Sequence, residues 1–127
     1  MKKAVLPPIA VLAVILAFSL WNSHAMTAHT DRWRDQLQQA AALAQDENWP
    51  AVEDALKDSY ADWSQCQTYL HVVTEHDAVD DAEAMYRRAM AFAATREPSE
   101  LRAELADLQD QLRLLADMER FSIKNVL

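Results

Sequence analysis

After one uninterrupted apolar run, the hydrophobic positions of this chain repeat with the period of a helix. The run is Ala4 to Trp21, eighteen residues without a charge, placed directly behind Lys2 and Lys3. Beyond it, Trp33, Leu37, Ala40 and Ala44 recur at spacings of 4, 3 and 4, which predicts one face of a helix from about Thr27 to Asp46. A second segment opens at Asn48-Trp49-Pro50, where proline suits a first turn whose N–H groups lack intrahelical partners. It carries two heptad-spaced rows, Trp49, Leu56, Trp63 and Leu70 on one and Val52, Ser59, Cys66 and Val73 on the other. A third starts around Asp77, with Asp77, Asp80, Asp81 and Glu83 crowding the end where the helix dipole favours negative charge. Its stripe is Val79, Ala82, Tyr86, Ala89 and Ala93. The fourth follows Glu97-Pro98-Ser99 and repeats leucine at 101, 105, 108, 112 and 115. It is expected to stop before Phe121, leaving an apolar tail, Phe121 to Leu127, that docks onto the bundle.

The fold class that follows is all-α: an N-terminal transmembrane or signal-anchor helix, residues 1–26, then an antiparallel four-segment helical bundle, residues 27–127. Only Asn22, Ser23 and His24 interrupt helical character between Ile9 and Gln45, so the apolar run and the first segment read as one long rod. Leu43-Ala44, Val52, Leu56 and Asp58 match Phe92-Ala93, Leu101, Leu105 and Asp107 at a constant offset of 49, which suggests two helical hairpins. An offset that long differs from the ~34 residues of tetratricopeptide units, and two copies are fewer than the roughly three a solenoid needs.

Two readings of the N-terminus stand side by side. As an uncleaved anchor, residues 4–21 span ~27 Å as a helix, close to a ~30 Å hydrocarbon core. Lys2 and Lys3 then stay in the cytoplasm, the remainder crosses the membrane, and Trp21 marks the far interface. As a secretory signal, Ile9 to Leu20 is the apolar core and Ser23-His24-Ala25 the small-x-small cleavage site, with Pro7 and Pro8 at or before the first helical turn.

Composition removes whole classes of function. The 127 residues include no glycine. Phosphate-cradling loops, the dinucleotide fingerprint, the nucleophile elbow and the calcium-loop turn all need one where a side chain clashes or φ is positive. All twenty acidic residues follow Trp21 against ten basic ones, so that portion carries −10. Nucleic acid is therefore not an expected partner, since its affinity comes from clustered Lys and Arg. One cysteine, Cys66, forms no intramolecular disulfide and reads as a small buried hydrophobe.

No catalytic residue and no cofactor is assigned. His71, Glu75 and His76 are the metal candidates, but on a continuous helix His76 sits about 140° around from His71, a poor arrangement for zinc. A polar helix end explains them as well, and His24 and His29, also five apart, take the same discount. Paired carboxylates such as Glu53-Asp54 fall on solvated faces, and none lies on an apolar seam where burial raises a pKa. Trp33, Trp49 and Trp63, with Phe121 and Ile123, are candidates for an interaction surface, and core packing uses the same tryptophans at the same spacing. Met85, Met90 and Met118 read as gap filling.

Leu43, Ala44, Trp49, Ala55, Leu56, Trp63, His76, Val79, Asp80 and the run Phe-Ser-Ile-Lys-Asn-Val-Leu at 121–127 carry a resemblance across nearly the whole chain. The chain resembles a bacterial family named as domain of unknown function 4363. Members usually place a glycine before the junction tryptophan and have a more lysine-rich surface; here Asn48 stands at that junction. The resemblance implies a small membrane-anchored helical protein and supplies no catalytic residues. The expected role is a non-enzymatic interaction or assembly module outside the cytoplasmic membrane. Partners are the membrane through residues 4–21, another membrane or envelope protein, and a second copy through segment four. The alternative is a metal- or pH-responsive protein using His71 and His76, anchored or secreted after cleavage near Ala25.

Overall fold

The computed structural model describes residues 2–67 and 76–126, with side chains for 7–21, 24–67 and 76–118. Among the described residues four helices follow in order: α1 Lys2–Gln45, α2 Trp49–Gln65, α3 His76–Ala94 and α4 Pro98–Val126. Each helix packs against two others, α1 against α2 and α4, α3 against the same two, so the bundle closes as a ring of antiparallel neighbours.

The described seam positions form the core, with Ala44, Trp49 and Cys66 only partly buried at its edge, so Cys66 is not the fully buried residue expected; Leu70 and Val73 lie outside the described residues. Trp33, Leu37, Val52, Leu56, Trp63, Val79, Tyr86 and the leucines at 101, 105, 108, 112 and 115 are at most 2% exposed. Alanines 78, 82, 89 and 93 give α3 a narrow inner face, which lets α2 and α4 approach while Tyr86 fills the wide part. Because the leucine row of α4 is buried within its own chain, Leu114 is the large apolar residue left outside on the described part of that helix.

The helix α1 is a single rod of 44 residues, ~66 Å at 1.5 Å per residue. Pro7 and Pro8 lie inside it rather than at its start, a correction to the sequence reading. Proline φ is already helical, and only two hydrogen bonds near the very end of the helix are lost. From Met26 onward α1 contributes to the bundle core, and Met26 itself is 0% exposed. Before that point its described large apolar side chains stand open, with Leu12, Val14, Phe18 and Trp21 all more than 60% exposed. By length and composition α1 is able to cross a membrane.

A second correction concerns α4, which continues through Phe121 to Val126 instead of stopping before Phe121. No glycine or proline stands in residues 119–126 to end it. The expected docking of the tail concerns side chains outside the described ones.

Two helices end without the glycine that a left-handed cap usually takes. Asn48 and the prolines open the next helices, but α1 and α3 end on left-handed residues, Glu47 at φ 58° and Arg96 at φ 55°. The Glu47 N–H bonds Ala44 O at 3.1 Å and the Asn48 N–H bonds Leu43 O at 3.1 Å. Forty-nine residues on, Arg96 bonds Ala93 O at 3.2 Å and Glu97 bonds Phe92 O at 3.0 Å. Both are Schellman caps made without glycine. The repeat therefore extends to the backbone of the two turns. Asp62 and Gln111, also 49 apart, each reach back from the second helix of a hairpin to the first, Gln111 through Ala78 O at 2.9 Å.

Left-handed φ costs a residue with a Cβ roughly 1–2 kcal/mol that glycine does not incur. Glu47→Gly and Arg96→Gly are therefore each expected to stabilise the bundle by about 1 kcal/mol, or a Tm rise of several degrees in thermal melts. A fall in Tm for both would contradict the cap assignment.

Candidate functional site

The densest polar arrangement links α1 to α2 near the end of the bundle that faces the exposed half of α1. Arg32 and Asp62 are thirty residues apart in sequence, and the fold sets them fork to fork: Arg32 Nε donates to Asp62 Oδ2 at 2.7 Å and Nη2 to Oδ1 at 2.9 Å. Gln36 Nε2, one turn along α1, adds a third donor at 3.3 Å. His29 Nδ1 lies 3.0 Å from Arg32 Nη2, and since guanidinium only donates, that ring nitrogen accepts and carries no proton. The imidazole also stacks on Trp33, centroids 5.7 Å apart and planes 15° off parallel.

Electrostatics follow from this packing. Burial lowers the His29 pKa, the Arg32 charge lowers it further, and Asp62 opposes both. For Asp62, burial works upward, but the Arg32 hydrogen bonds and charge, helped by Gln36, outweigh it and hold the carboxyl below its usual value. Cys66, one turn beyond, has its thiol pushed up by burial and by Asp62, with Arg32 opposing. Chemically the cluster is a clasp: both Asp62 oxygens already accept hydrogen bonds, and a raised thiol pKa leaves little thiolate to act as a nucleophile.

A second polar pair lies inside the core. Ser59 Oγ and Tyr86 Oη are 3.0 Å apart and buried, bridging α2 and α3. Around them Trp63 and Tyr86 rings approach to 5.3 Å, and Tyr60 meets Tyr86 edge-on at 5.7 Å. Burial drives the Tyr86 hydroxyl pKa upward, with the Ser59 hydrogen bond opposing. One carboxylate does reach the core edge, contrary to the sequence reading: Glu104 is 9% exposed. Arg88 of α3 meets it there and compensates its charge.

The candidates from sequence fare unequally. His71 and Glu75 lie outside the described residues. His76 opens α3 at the surface, its Nε2 3.5 Å from Asp80 Oδ2. Among the described residues no group of three or more His, Cys, Asp or Glu is placed to hold a metal ion. Trp33 and Trp63 are 0% exposed, so neither offers a surface to a partner; their size fills the core. Trp49 is half-buried against the same core. The side chains of Phe121 and Ile123 are outside the described ones. Ser59 was visible as the odd hydroxyl on an apolar row, whereas nothing local marks Asp62 or Glu104.

Two surface concavities lie between α1 and α4. One, about 60 Å³, is bounded by Ala41, Ala44, Leu101 and Leu105 and holds little more than water. The other, about 380 Å³, is an open trough of Asp31, Arg34, Asp35, Gln38 and Gln109 without the apolar walls that bind small molecules.

Comparison with known proteins places this geometry. The profile of the family described as "Domain of unknown function (DUF4363)" matches residues 20–126. The chain belongs to that family. The matched region begins at Leu20 and Trp21, the last two residues of the exposed apolar stretch, and takes in the bundle of the 4363 domain, clasp and buried hydroxyl pair included. No curated protein and no solved structure matches the chain.

Proposed function

We propose that this protein is a membrane-anchored, non-enzymatic helical module that takes part in interaction or assembly outside the cytoplasmic membrane. The observation that carries the reading is the continuity of α1, one helix whose first half is apolar and uncovered and whose second half is core. An apolar surface of that extent is stable in hydrocarbon and not in water. The same continuity favours retention over cleavage, because a cut near Ala25 would sever a helix beside Met26, a fully buried core residue. Lys2 and Lys3 set the N-terminus on the cytoplasmic side. Among the described residues the polar cluster is clasped, one concavity is little larger than a water and the other is an open polar trough, which supports a reading of binding through the outer helix faces.

The test is fractionation of the native chain and of Leu12→Arg/Ile15→Arg. Each arginine near the middle of the span costs ~2.5–3.5 kcal/mol of insertion. The native protein is expected to resist carbonate extraction with a mass that retains residues 1–25, and the variant to appear in the soluble fraction. A native chain that is extracted, or that begins at Met26, would overturn the anchor. Crosslinking in native membranes addresses the second half of the proposal: an adduct of constant composition supports an assembly role, and recovery of the uncrosslinked monomer alone counts against it.

A further inference from the structure

The antiparallel register of α1 and α4 sets the height of the bundle above the apolar stretch. Gln109 Nε2 and Gln38 Oε1 are 3.5 Å apart, which ties those two positions to one level. From Gln38 back to Trp21 is seventeen residues of continuous α1, and from Gln109 on to Val126 is seventeen residues of continuous α4. At 1.5 Å per residue both distances are ~26 Å in the same direction. A crossing angle of about 20° between the helices alters that height by under ~2 Å. Val126 therefore comes level with Trp21.

Trp21 is where the apolar stretch ends: its ring is 64% exposed and tilted against Phe18 at 6.2 Å, and Asn22, Ser23 and His24 follow. Residues 119–126 of α4 run alongside α1 residues 28 to 21, the ~10 Å next to that boundary, and their composition departs from the rest of the bundle. They contain Phe121, Ile123 and Val126, with Arg120 and Lys124 against the single acidic Glu119. The remainder after Trp21 is strongly acidic, so this is the one stretch of α4 whose charge suits an anionic lipid surface. Apolar and basic residues together at the height of an interfacial tryptophan are the composition of a segment seated among headgroups.

We infer that residues 119–126 of α4 lie in the lipid headgroup layer and form a second contact between the bundle and the membrane, beside the α1 span. This rests on the anchor reading and adds to it: α1 and α4 together hold the bundle upright against the bilayer, where a single rod would leave it free to tilt. The clasp between Arg32 and Asp62 then lies in the turns next to the lipid, with the two Schellman turns at the far end.

The experiment uses the full chain in phosphatidylcholine/phosphatidylglycerol vesicles, with Cys66→Ala as background and an environment-sensitive NBD probe on one introduced cysteine at a time. Leu16→Cys reports the span, Ile123→Cys and the neighbouring Ser122→Cys report the end of α4, and Arg102→Cys reports the far turn. Circular dichroism checks that each variant keeps its helix content. The expected result is blue-shifted emission at 16 and 123 or 122, loss of that emission when lipids carry a shallow spin-label quencher, and no response at 102. Emission at both 122 and 123 matching that at 102, with 16 still quenched by lipid, would overturn this inference and leave the anchor standing. An unquenched probe at 16 would overturn the anchor and this inference with it. A blue shift at 123 that ignores lipid quenchers and scales with the protein-to-lipid ratio would assign the segment to a second copy and overturn the lipid contact.

Discussion

Trp63→Ala is expected to remove roughly 3–5 kcal/mol of bundle stability, the range for deleting a large aromatic from a packed core. Trp63 is 0% exposed and lies against Tyr86 at 5.3 Å and Tyr60 at 6.1 Å, so its loss opens a cavity where α2 meets α3. Helix backbones joined by two short turns relax only partly into such a space. Against the ~5–15 kcal/mol of a typical domain, that is enough to unfold a good part of the population at growth temperature. Trp21→Ala is the control, since Trp21 is 64% exposed and touches no core residue of the bundle. Thermal unfolding of the full chain in detergent, followed by circular dichroism, should show a large drop in Tm for the first variant and none for the second. Equal melting of Trp63→Ala and the native chain would refute the placement of Trp63 in the core.

The buried hydroxyl pair gives the second large effect, and its signature is non-additivity. Tyr86→Phe leaves Ser59 Oγ buried with no partner, and Ser59→Ala does the same to Tyr86 Oη, each at a cost of about 1–3 kcal/mol. Removing both hydroxyls takes away the unsatisfied group, so the double variant is expected to be less destabilised than the two single effects summed. Additive losses would mean that the two groups do not bond. The pair also sets an alkaline limit. Burial raises the Tyr86 pKa in the folded state above its unfolded value of about 10, so the neutral phenol is the form that folding favours. Its contribution is complete below pH ~10 and declines as pH rises from there toward the folded-state pKa. Denaturant melts at rising pH should show the native chain losing stability above pH ~10 more steeply than Tyr86→Phe. Parallel curves for the two would remove Tyr86 as the cause.

The elements themselves were legible because a helix that buries one face repeats its apolar residues every three or four positions. Val79, Ala82, Tyr86, Ala89 and Ala93, and the five leucines of α4, are each at most 2% exposed as their spacing required. Less was legible where a feature depends on residues far apart. Arg32 and Asp62 are ordinary solvated charges until α1 and α2 lie side by side, and Glu104 becomes a buried carboxylate only because Arg88 arrives from α3. Glu47 and Arg96 carry no left-handed preference of their own; the Schellman geometry holds them there once the helices on either side have packed. The continuation of α4 to Val126 was missed because an apolar tail without glycine or proline reads equally as a docked coil.

What the sequence alone determined is the set of helices, the face each one buries and the apolar stretch that leads into them. Those follow from local periodicity and from side-chain transfer energies, which act within a few residues. Tertiary structure decided the rest: which helix neighbours which, the clasp at one end, the hydroxyl pair in the core, and the level at which α4 meets the end of the apolar stretch. Register between helices is a sum over many side-chain contacts distant in sequence, and no short window of residues contains it.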